Sequence, residues 1–145
     1  MTVLLSLVVL LPLFGAATAL ILRRRPVQRA LSFVTLGMSL VAATSVLVDA
    51  WSNDEVNVVR MGGWPGSFAI TFVADRLASV MVVIALTVTL LVLLYSVGQK
   101  SAGERSAFYH PVYMVMSAGI SQAFLAGDLF NLFVAFEILL MASYV

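Results

Sequence analysis

The sequence predicts an all-α polytopic membrane protein with about five transmembrane helices and a short β-hairpin on the outer face between helices 2 and 3. Of its 145 residues, 62% are hydrophobic and only 10% are charged, whereas soluble domains carry roughly 25% charged residues. Long apolar runs alternate with short polar segments, which is the pattern of a chain that crosses a bilayer several times. Glycines between two β-favouring segments predict the hairpin.

The first two spans are predicted at residues 2–22 and 30–50. The first run is not typical of a cleaved secretory signal, because its positive charges follow the apolar stretch at Arg23, Arg24 and Arg25, whereas a signal carries them in front. It is also long enough to cross the hydrocarbon core. We therefore interpret it as a permanent first helix.

The polar segment after helix 2 predicts two short strands at about residues 56–73. Valines and a methionine at 56–61 and aromatic or branched residues at 68–72 flank a glycine-rich turn at 62–66, a pattern that favours a hairpin. We expect it to lie on the outer membrane face. It is either a contact element for a neighbouring subunit or a plain surface loop.

Three further helices are predicted at residues 75–97, at 108–126 and from 129 onwards. Asp75 and Asp128 stand immediately before two of them, where a carboxylate can accept a hydrogen bond from a free amide of the first turn. The last apolar run reaches Val145 without a charge, glycine or proline to end it. We expect the chain to be the N-terminal part of a longer protein.

The basic residues predict the orientation. Six of the eight, Arg23, Arg24, Arg25, Arg29, Lys100 and Arg105, fall in the segments after helices 1 and 3. Only Arg60 and Arg76 fall on the other side. Because basic loops stay in the cytoplasm, the N-terminus is expected outside.

The composition excludes several kinds of function. The chain has no cysteine and a single histidine, so thiolate metal sites and cysteine nucleophiles are impossible and no metal-ligand cluster is apparent. The net charge of +1 does not indicate a nucleic-acid partner. No nucleotide-binding loop or nucleophile–base pair is present, so we expect neither a cofactor nor an enzyme acting on its own.

Glu137 is the main candidate for a functional residue. It is the only charged residue in the apolar run 129–145, and it lies roughly 12 Å along that helix, near the middle of a hydrocarbon core ~30 Å thick. An ionisable group at that depth needs a partner or water and typically marks an ion or proton path. The alternative is a structural carboxyl bonded to a neighbouring helix.

Five other polar residues are weaker candidates to support Glu137. Ser117 and Ser121 lie one turn apart on helix 4 and either pack helix 4 against helix 5 or line a hydrated path. Asn131 either supports the start of helix 5 or lies on the ion path. His110, expected to be solvated at the cytoplasmic interface, is a weak candidate for proton uptake. Tyr144 supplies the only hydroxyl near the face of Glu137.

Several stretches together resemble one family. They are GGWP at 62–65 leading to VADRL at 73–77, GDLFNLFV at 127–134 leading to Phe136 and Glu137, and the closing triplet Ala142, Ser143 and Tyr144. They resemble the D-type subunit of Mrp-type multisubunit cation/proton antiporters. That kind of subunit is similar to the antiporter-like, proton-pumping subunits of respiratory complex I and of membrane-bound hydrogenases.

The resemblance implies a location in the cell membrane of a bacterium or archaeon, a larger architecture, and a role for Glu137. A full subunit of this family has about fourteen helices in two inverted repeats. Residues 1–107 would be N-terminal helices 1–3, and residues 108–145 the first two helices of the ion-translocating repeat. The family's helix 5 glutamate, matched by Glu137, pairs with a lysine that would lie beyond Val145.

Three functions follow as alternatives. The chain could be part of a subunit that exchanges Na⁺ or another monovalent cation for protons, with the other antiporter subunits and membrane lipid as its partners. It could belong to a proton-pumping subunit of a complex I-type or hydrogenase complex. It could also serve assembly alone and transport nothing.

Overall fold

Five helices and two strands make up the part of the chain that the structure describes. This computed structural model describes residues 2–53, 56–61, 70–99 and 106–144. In chain order the elements are α1 (Thr2–Ile21), α2 (Arg25–Ser52), β1 (Asn57–Arg60), β2 (Thr71–Ala74), α3 (Arg76–Gln99), α4 (Tyr109–Leu125) and α5 (Leu129–Ser143).

The helices form an antiparallel bundle in which α1 packs on α2 and α4, while α3 packs on the other side of α2 and α4. Buried leucines, valines and alanines from α1, α2, α3 and α4 fill the centre. α5 packs against α4 and contributes little to this core: its buried residues are Asn131, Ala135 and Ala142. Most of the surface of α5 therefore faces away from the bundle.

Three helices, at residues 3–21, 25–52 and 76–99, are long and apolar enough to cross a membrane. α4, with 17 residues, and α5, with 15, are about 25 Å and 22 Å long at 1.5 Å per residue, shorter than a hydrocarbon core of ~30 Å. Three of the five predicted spans thus meet the length expected of a transmembrane helix within the described residues.

The hairpin predicted between helices 2 and 3 is present. β1 and β2 pair antiparallel, with Asn57 opposite Ala74 and Arg60 opposite Thr71. Phe72 and Ala74 turn inward and are buried. The predicted turn at 62–66, and Phe68 after it, lie outside the described residues.

The sequence placed the start of helix 2 too late. The arginine-rich segment was expected to be a loop up to residue 30, yet α2 begins at Arg25 with Pro26 in its first turn. Proline suits that position because its fixed φ is helical and its missing amide would have no partner in the helix anyway. Two of the four clustered arginines, Arg25 and Arg29, are therefore helical residues.

The two ends of the bundle differ in the elements that meet there. At one end the hairpin lies beside the end of α2, where Asn57 Nδ2 donates to Asp49 Oδ2 at 2.9 Å. The turn between α4 and α5 lies at the same end. At the opposite end Gln28, at the start of α2, donates to the Ala19 carbonyl of α1 at 2.8 Å and to the Ala107 carbonyl before α4 at 3.2 Å.

Candidate functional site

Glu137 lies in the middle of α5, on the face that points away from α4. Its side chain is exposed on the surface of this chain, so the described residues alone do not bury the carboxyl, and its burial stays a prediction. The exposure results from the packing of α5, whose inward face is formed by Asn131, Ala135 and Ala142. Glu137 is two positions from Ala135, about 200° around the helix.

The surface around Glu137 is apolar. Neighbours at helical spacing are large and solvent-accessible, with Phe133 60%, Leu140 48% and Met141 70% exposed, and Phe130, one turn further back, 65% exposed. Tyr144, seven residues on, is 85% exposed. One carboxylate within an apolar helix surface requires a polar or positively charged neighbour, or water, when that surface is covered by lipid or protein.

The opposite face of α5 fits closely against α4. Gly119 of α4 permits this, because a Cβ atom there would stand 3.0 Å from Ile138 Cγ2 and 3.1 Å from Leu139 Cγ. Small residues allow membrane helices to approach in this way. The contact between α4 and α5 at this point is apolar.

Directional contacts occur at the first turn of α5. Asp128 is the N-cap residue, and its Oδ1 accepts from the Asn131 amide at 2.6 Å. Its Oδ2 accepts from the Thr71 amide of β2 at 2.8 Å. The Thr71 carbonyl in turn accepts from the Gly127 amide at 2.8 Å, and Phe72 and Ala126 form an antiparallel β-bridge. The hairpin is thus bonded to the turn between α4 and α5.

Asn131 completes these contacts from within the bundle. Its side chain is 0% exposed. Its Nδ2 donates to the Thr71 carbonyl at 2.9 Å, and its Oδ1 accepts from Gln122 Nε2 of α4 at 2.8 Å. Both ends of the amide are therefore bonded. The sequence indicated Gln122 only as a polar residue near Ser117 and Ser121 on helix 4, and no role was predicted for it.

His110 is buried, contrary to the expectation of a solvated interfacial side chain. It is 1% exposed, and its Nδ1 lies 3.1 Å from Ser32 Oγ of α2. Gln28, 1% exposed, lies one turn before Ser32 on the same helix. Both polar residues are buried inside the bundle, and Gln28 is a helical residue only because α2 begins earlier than expected. The contact between Ser32 and His110 was not indicated by the sequence alone.

Ser117 and Ser121 are also buried, at 1% and 0% exposure. Within the described part of the chain, neither hydroxyl has a hydrogen-bond partner. Asp75 Oδ1 accepts from the Ala78 amide at 2.6 Å at the start of α3. The structure thus brings Asp128 and Asn131 together, while His110 lies at the other end of α4 and Glu137 on the outer face of α5.

Comparison with known proteins gives consistent relatives. No protein-family model matches the chain. The D-type subunit of the Na(+)/H(+) antiporter of Alkalihalophilus pseudofirmus is 37% identical over 139 residues, which are 94% of this chain and 28% of that protein. The D-type subunit of a probable K(+)/H(+) antiporter of Rhizobium meliloti is 35% identical over 148 residues, which are 97% of this chain and 27% of that protein.

Solved structures show the same relationship. The fold matches the Mrp complex from Dietzia sp. DQ12-45-1b with a TM-score of 0.88 and 30% identity, over 99% of this chain and 27% of the other. It also matches an archaeal membrane-bound sulfane sulfur reductase complex, with a TM-score of 0.83 and 21% identity, over 97% of this chain and 29% of the other. The resemblance carried by the sequence motifs is confirmed, and the chain is a multi-pass membrane protein spanning little more than a quarter of these relatives.

Proposed function

We propose that this chain, which is related over nearly its whole length to part of the D-type subunit of Mrp-type antiporters, belongs to a subunit that exchanges monovalent cations for protons across the cell membrane. The observation that carries the proposal is the 37% identity to that subunit of a Na(+)/H(+) antiporter over 94% of the chain. The partners are the other subunits of the complex, the transported Na⁺ and H⁺, and membrane lipid.

Glu137 is the residue proposed to carry the proton. It is the one charged residue of α5, and it lies near the middle of that helix. A carboxyl in an apolar setting has two usable states: a neutral acid that the membrane tolerates, and a carboxylate that needs a positive partner or water. Movement of such a partner toward or away from Glu137 would release or bind a proton.

The exposure of Glu137 supports this role. Within the described part of the chain, Glu137 is exposed and faces away from α4, whereas a structural carboxyl that served this bundle would bond to its helices. The chain thus presents the carboxyl to whatever covers the outer face of α5. The cationic partner in this proposal lies outside the chain, as the family resemblance implies.

A second function, proton pumping within a redox complex, is favoured by the fold likeness to the archaeal respiratory complex. The chemistry proposed for Glu137 would be the same, but electron transfer in other subunits would supply the energy. The genes beside this one discriminate between the two functions. Further antiporter subunits indicate the exchanger, and hydrogenase or quinone-reductase subunits indicate the pump.

The test is cation-induced collapse of a pH gradient in inverted membrane vesicles that contain the assembled complex. Glu137→Gln removes the titratable proton while keeping the size of the side chain, and we expect it to abolish the collapse. Ser143→Ala is the matched control on the same helix, because among the described residues the Ser143 hydroxyl bonds to the Leu140 carbonyl of its own helix, at 2.9 Å. It should retain activity.

Glu137→Asp keeps a carboxyl on a shorter side chain, so we expect it to retain part of the activity. Each variant is compared at equal amounts of assembled complex. Unchanged activity in Glu137→Gln would identify Glu137 as a structural carboxyl and would leave assembly as the role of this part of the protein.

A further inference from the structure

We propose that Asn131 is a positioning residue that fixes the rotation of α5, so that Glu137 faces outward and away from α4. The importance of this rotation for transport rests on the proposed function of Glu137. The rotation itself follows from the contacts of α5 alone. Asn131 and Glu137 are six residues apart, about 240° around the helix. Fixing one inward directs the other outward.

The remaining contacts of α5 are poorly suited to fix its rotation. Beyond its first turn, the inward face consists of Ala135 and Ala142 and of the partly buried Ile138 and Leu139 against Gly119. Lipid offers these side chains the same apolar surroundings as α4 does, so rotation of α5 costs them only packing. That packing selects one rotation less strongly than hydrogen bonds between buried polar groups do.

The hydrogen bonds of Asn131 supply this stronger selection of one rotation. Its side chain joins two different elements, since Nδ2 donates to the Thr71 carbonyl of β2 and Oδ1 accepts from Gln122 of α4. Any appreciable rotation of α5 breaks both bonds and leaves buried polar atoms unpaired, which costs more than the bonds themselves contribute. Asp128 accepts hydrogen bonds from the Thr71 and Asn131 amides and so attaches the start of α5 to β2, the strand that Asn131 also contacts.

Disulfide trapping measures the rotation directly in the complete complex. The chain contains no cysteine, so introduced thiols are the only ones it carries. Gly119→Cys with Leu139→Cys reports the observed rotation, because a Cβ atom at position 119 lies 3.1 Å from Leu139 Cγ. Gly119→Cys with Glu137→Cys reports α5 turned so that its outer face approaches α4.

We expect the first pair to crosslink and the second to remain largely reduced when Asn131 is intact. Asn131→Ala removes both side-chain hydrogen bonds and should change the ratio of the two crosslinks by up to about tenfold toward the second pair, given the modest strength of such bonds in membranes. Gln122→Leu removes one of the two bonds and should give a smaller change in the same direction. Ser143→Ala should leave the ratio unchanged.

The pH profile of transport distinguishes a positioning role from a purely stabilising one. In the cysteine-free chain, Asn131→Ala should shift the pH profile of cation-induced gradient collapse per assembled complex, because Glu137 then samples other surroundings. A residue that only stabilises the fold would lower the amount of complex and leave that profile unchanged.

An unchanged crosslink ratio in Asn131→Ala overturns the proposal even if Glu137 proves essential for transport. Conversely, a changed crosslink ratio supports the positioning role of Asn131 even if Glu137→Gln remains active. Failure of the positioning role can therefore be distinguished from failure of the proposed function. If neither Asn131→Ala nor Gln122→Leu assembles, the pair is required for folding, and the positioning role is rejected.

Discussion

Two buried serines of α4 have a role that single substitutions can decide. Ser117 and Ser121 are buried, and neither hydroxyl has a hydrogen-bond partner in the described part of the chain. A buried hydroxyl without a partner is unfavourable. Two explanations remain: the residues are there because they are small, or the hydroxyls bond to water along a hydrated path.

If small size is the reason, Ser117→Ala and Ser121→Ala should leave transport unchanged and should leave the thermal stability of the solubilised complex within about 1 kcal/mol of the parent. Ser117→Val, which adds volume in the same place, should destabilise the complex by about 1–3 kcal/mol. Thermal denaturation of the complex and gradient collapse in vesicles measure both effects. A loss of transport in Ser117→Ala without loss of stability would instead support the hydrated path.

Ser32 offers a matched comparison for the buried histidine. Its hydroxyl bonds to the Gln28 carbonyl at 2.9 Å and also lies 3.1 Å from His110 Nδ1. Ser45 on the same helix is half-buried, and its hydroxyl bonds to the Val41 carbonyl of that helix at 2.9 Å in the part of the chain that the structure describes. We expect Ser32→Ala to lower the stability of the complex by about 1 kcal/mol and Ser45→Ala to have little effect. Equal effects would mean that the contact with His110 contributes no stability.

The sequence predicted single residues well where one helix determines their setting, and less well where two helices do. The position of Glu137 within its apolar helix needed only the length of that helix. The burial of His110 involves Ser32 of α2, whose hydroxyl lies 3.1 Å from His110 Nδ1, and a contact between two helices cannot be read from either helix alone. The outward direction of Glu137 depended on which side of α5 contacts α4. In an apolar helix, a few small residues on one side only weakly indicate which side that is.

At the scale of elements, the hairpin is attached to the turn between α4 and α5 through very close backbone contact. Gly127 is required there, because a Cβ atom at that position would overlap Val73 Cγ2 and would stand 3.1 Å from the Thr71 carbonyl oxygen. The Gly127 amide donates to the same carbonyl at 2.8 Å. Any side chain at 127 must therefore push β2 away from the start of α5.

Gly127→Ala should destabilise the complex by about 1–3 kcal/mol through this overlap, and Val73→Ala in the same chain should restore part of the loss. Gly37→Ala is the matched control, since nothing lies within 4 Å of a Cβ atom there. In the interior of α2 it should be neutral or stabilising by up to about 1 kcal/mol. Thermal denaturation of the solubilised complex compares the three variants, and equal behaviour of the two glycine substitutions would contradict the close contact.

The hairpin was predictable, whereas its attachment was not. β-Favouring residues around a glycine-rich turn are a local pattern. β1 lies within the first predicted segment, and β2 overlaps the second and ends two residues beyond it. The bonds from Thr71 to Gly127, Asp128 and Asn131 span more than fifty residues of sequence. A pattern confined to one segment contains no information about which later turn will meet its backbone groups.

At the scale of the whole molecule, the structure groups the ends of the elements into two sets. The hairpin lies with the end of α2 and the start of α5, and the start of α1 adjoins it, since the Ser6 hydroxyl lies 3.9 Å from Met61 Sδ. The clustered arginines lie at the opposite end with the start of α4. The fold thus determines which helix ends lie on the same side of the membrane, and the basic residues predict which of the two sides is cytoplasmic.

Two serines, one at each end of the bundle, test that orientation. Ser52 at the end of α2 and Ser106 shortly before α4 are both exposed, and serine to cysteine is a small change in a chain that has no cysteine of its own. A membrane-impermeant thiol reagent should label Ser52→Cys in right-side-out vesicles and Ser106→Cys only in inverted ones. The reverse pattern would place the N-terminus in the cytoplasm. The whole bundle would then be inverted in the membrane, because fixed contacts join the elements at each of its ends.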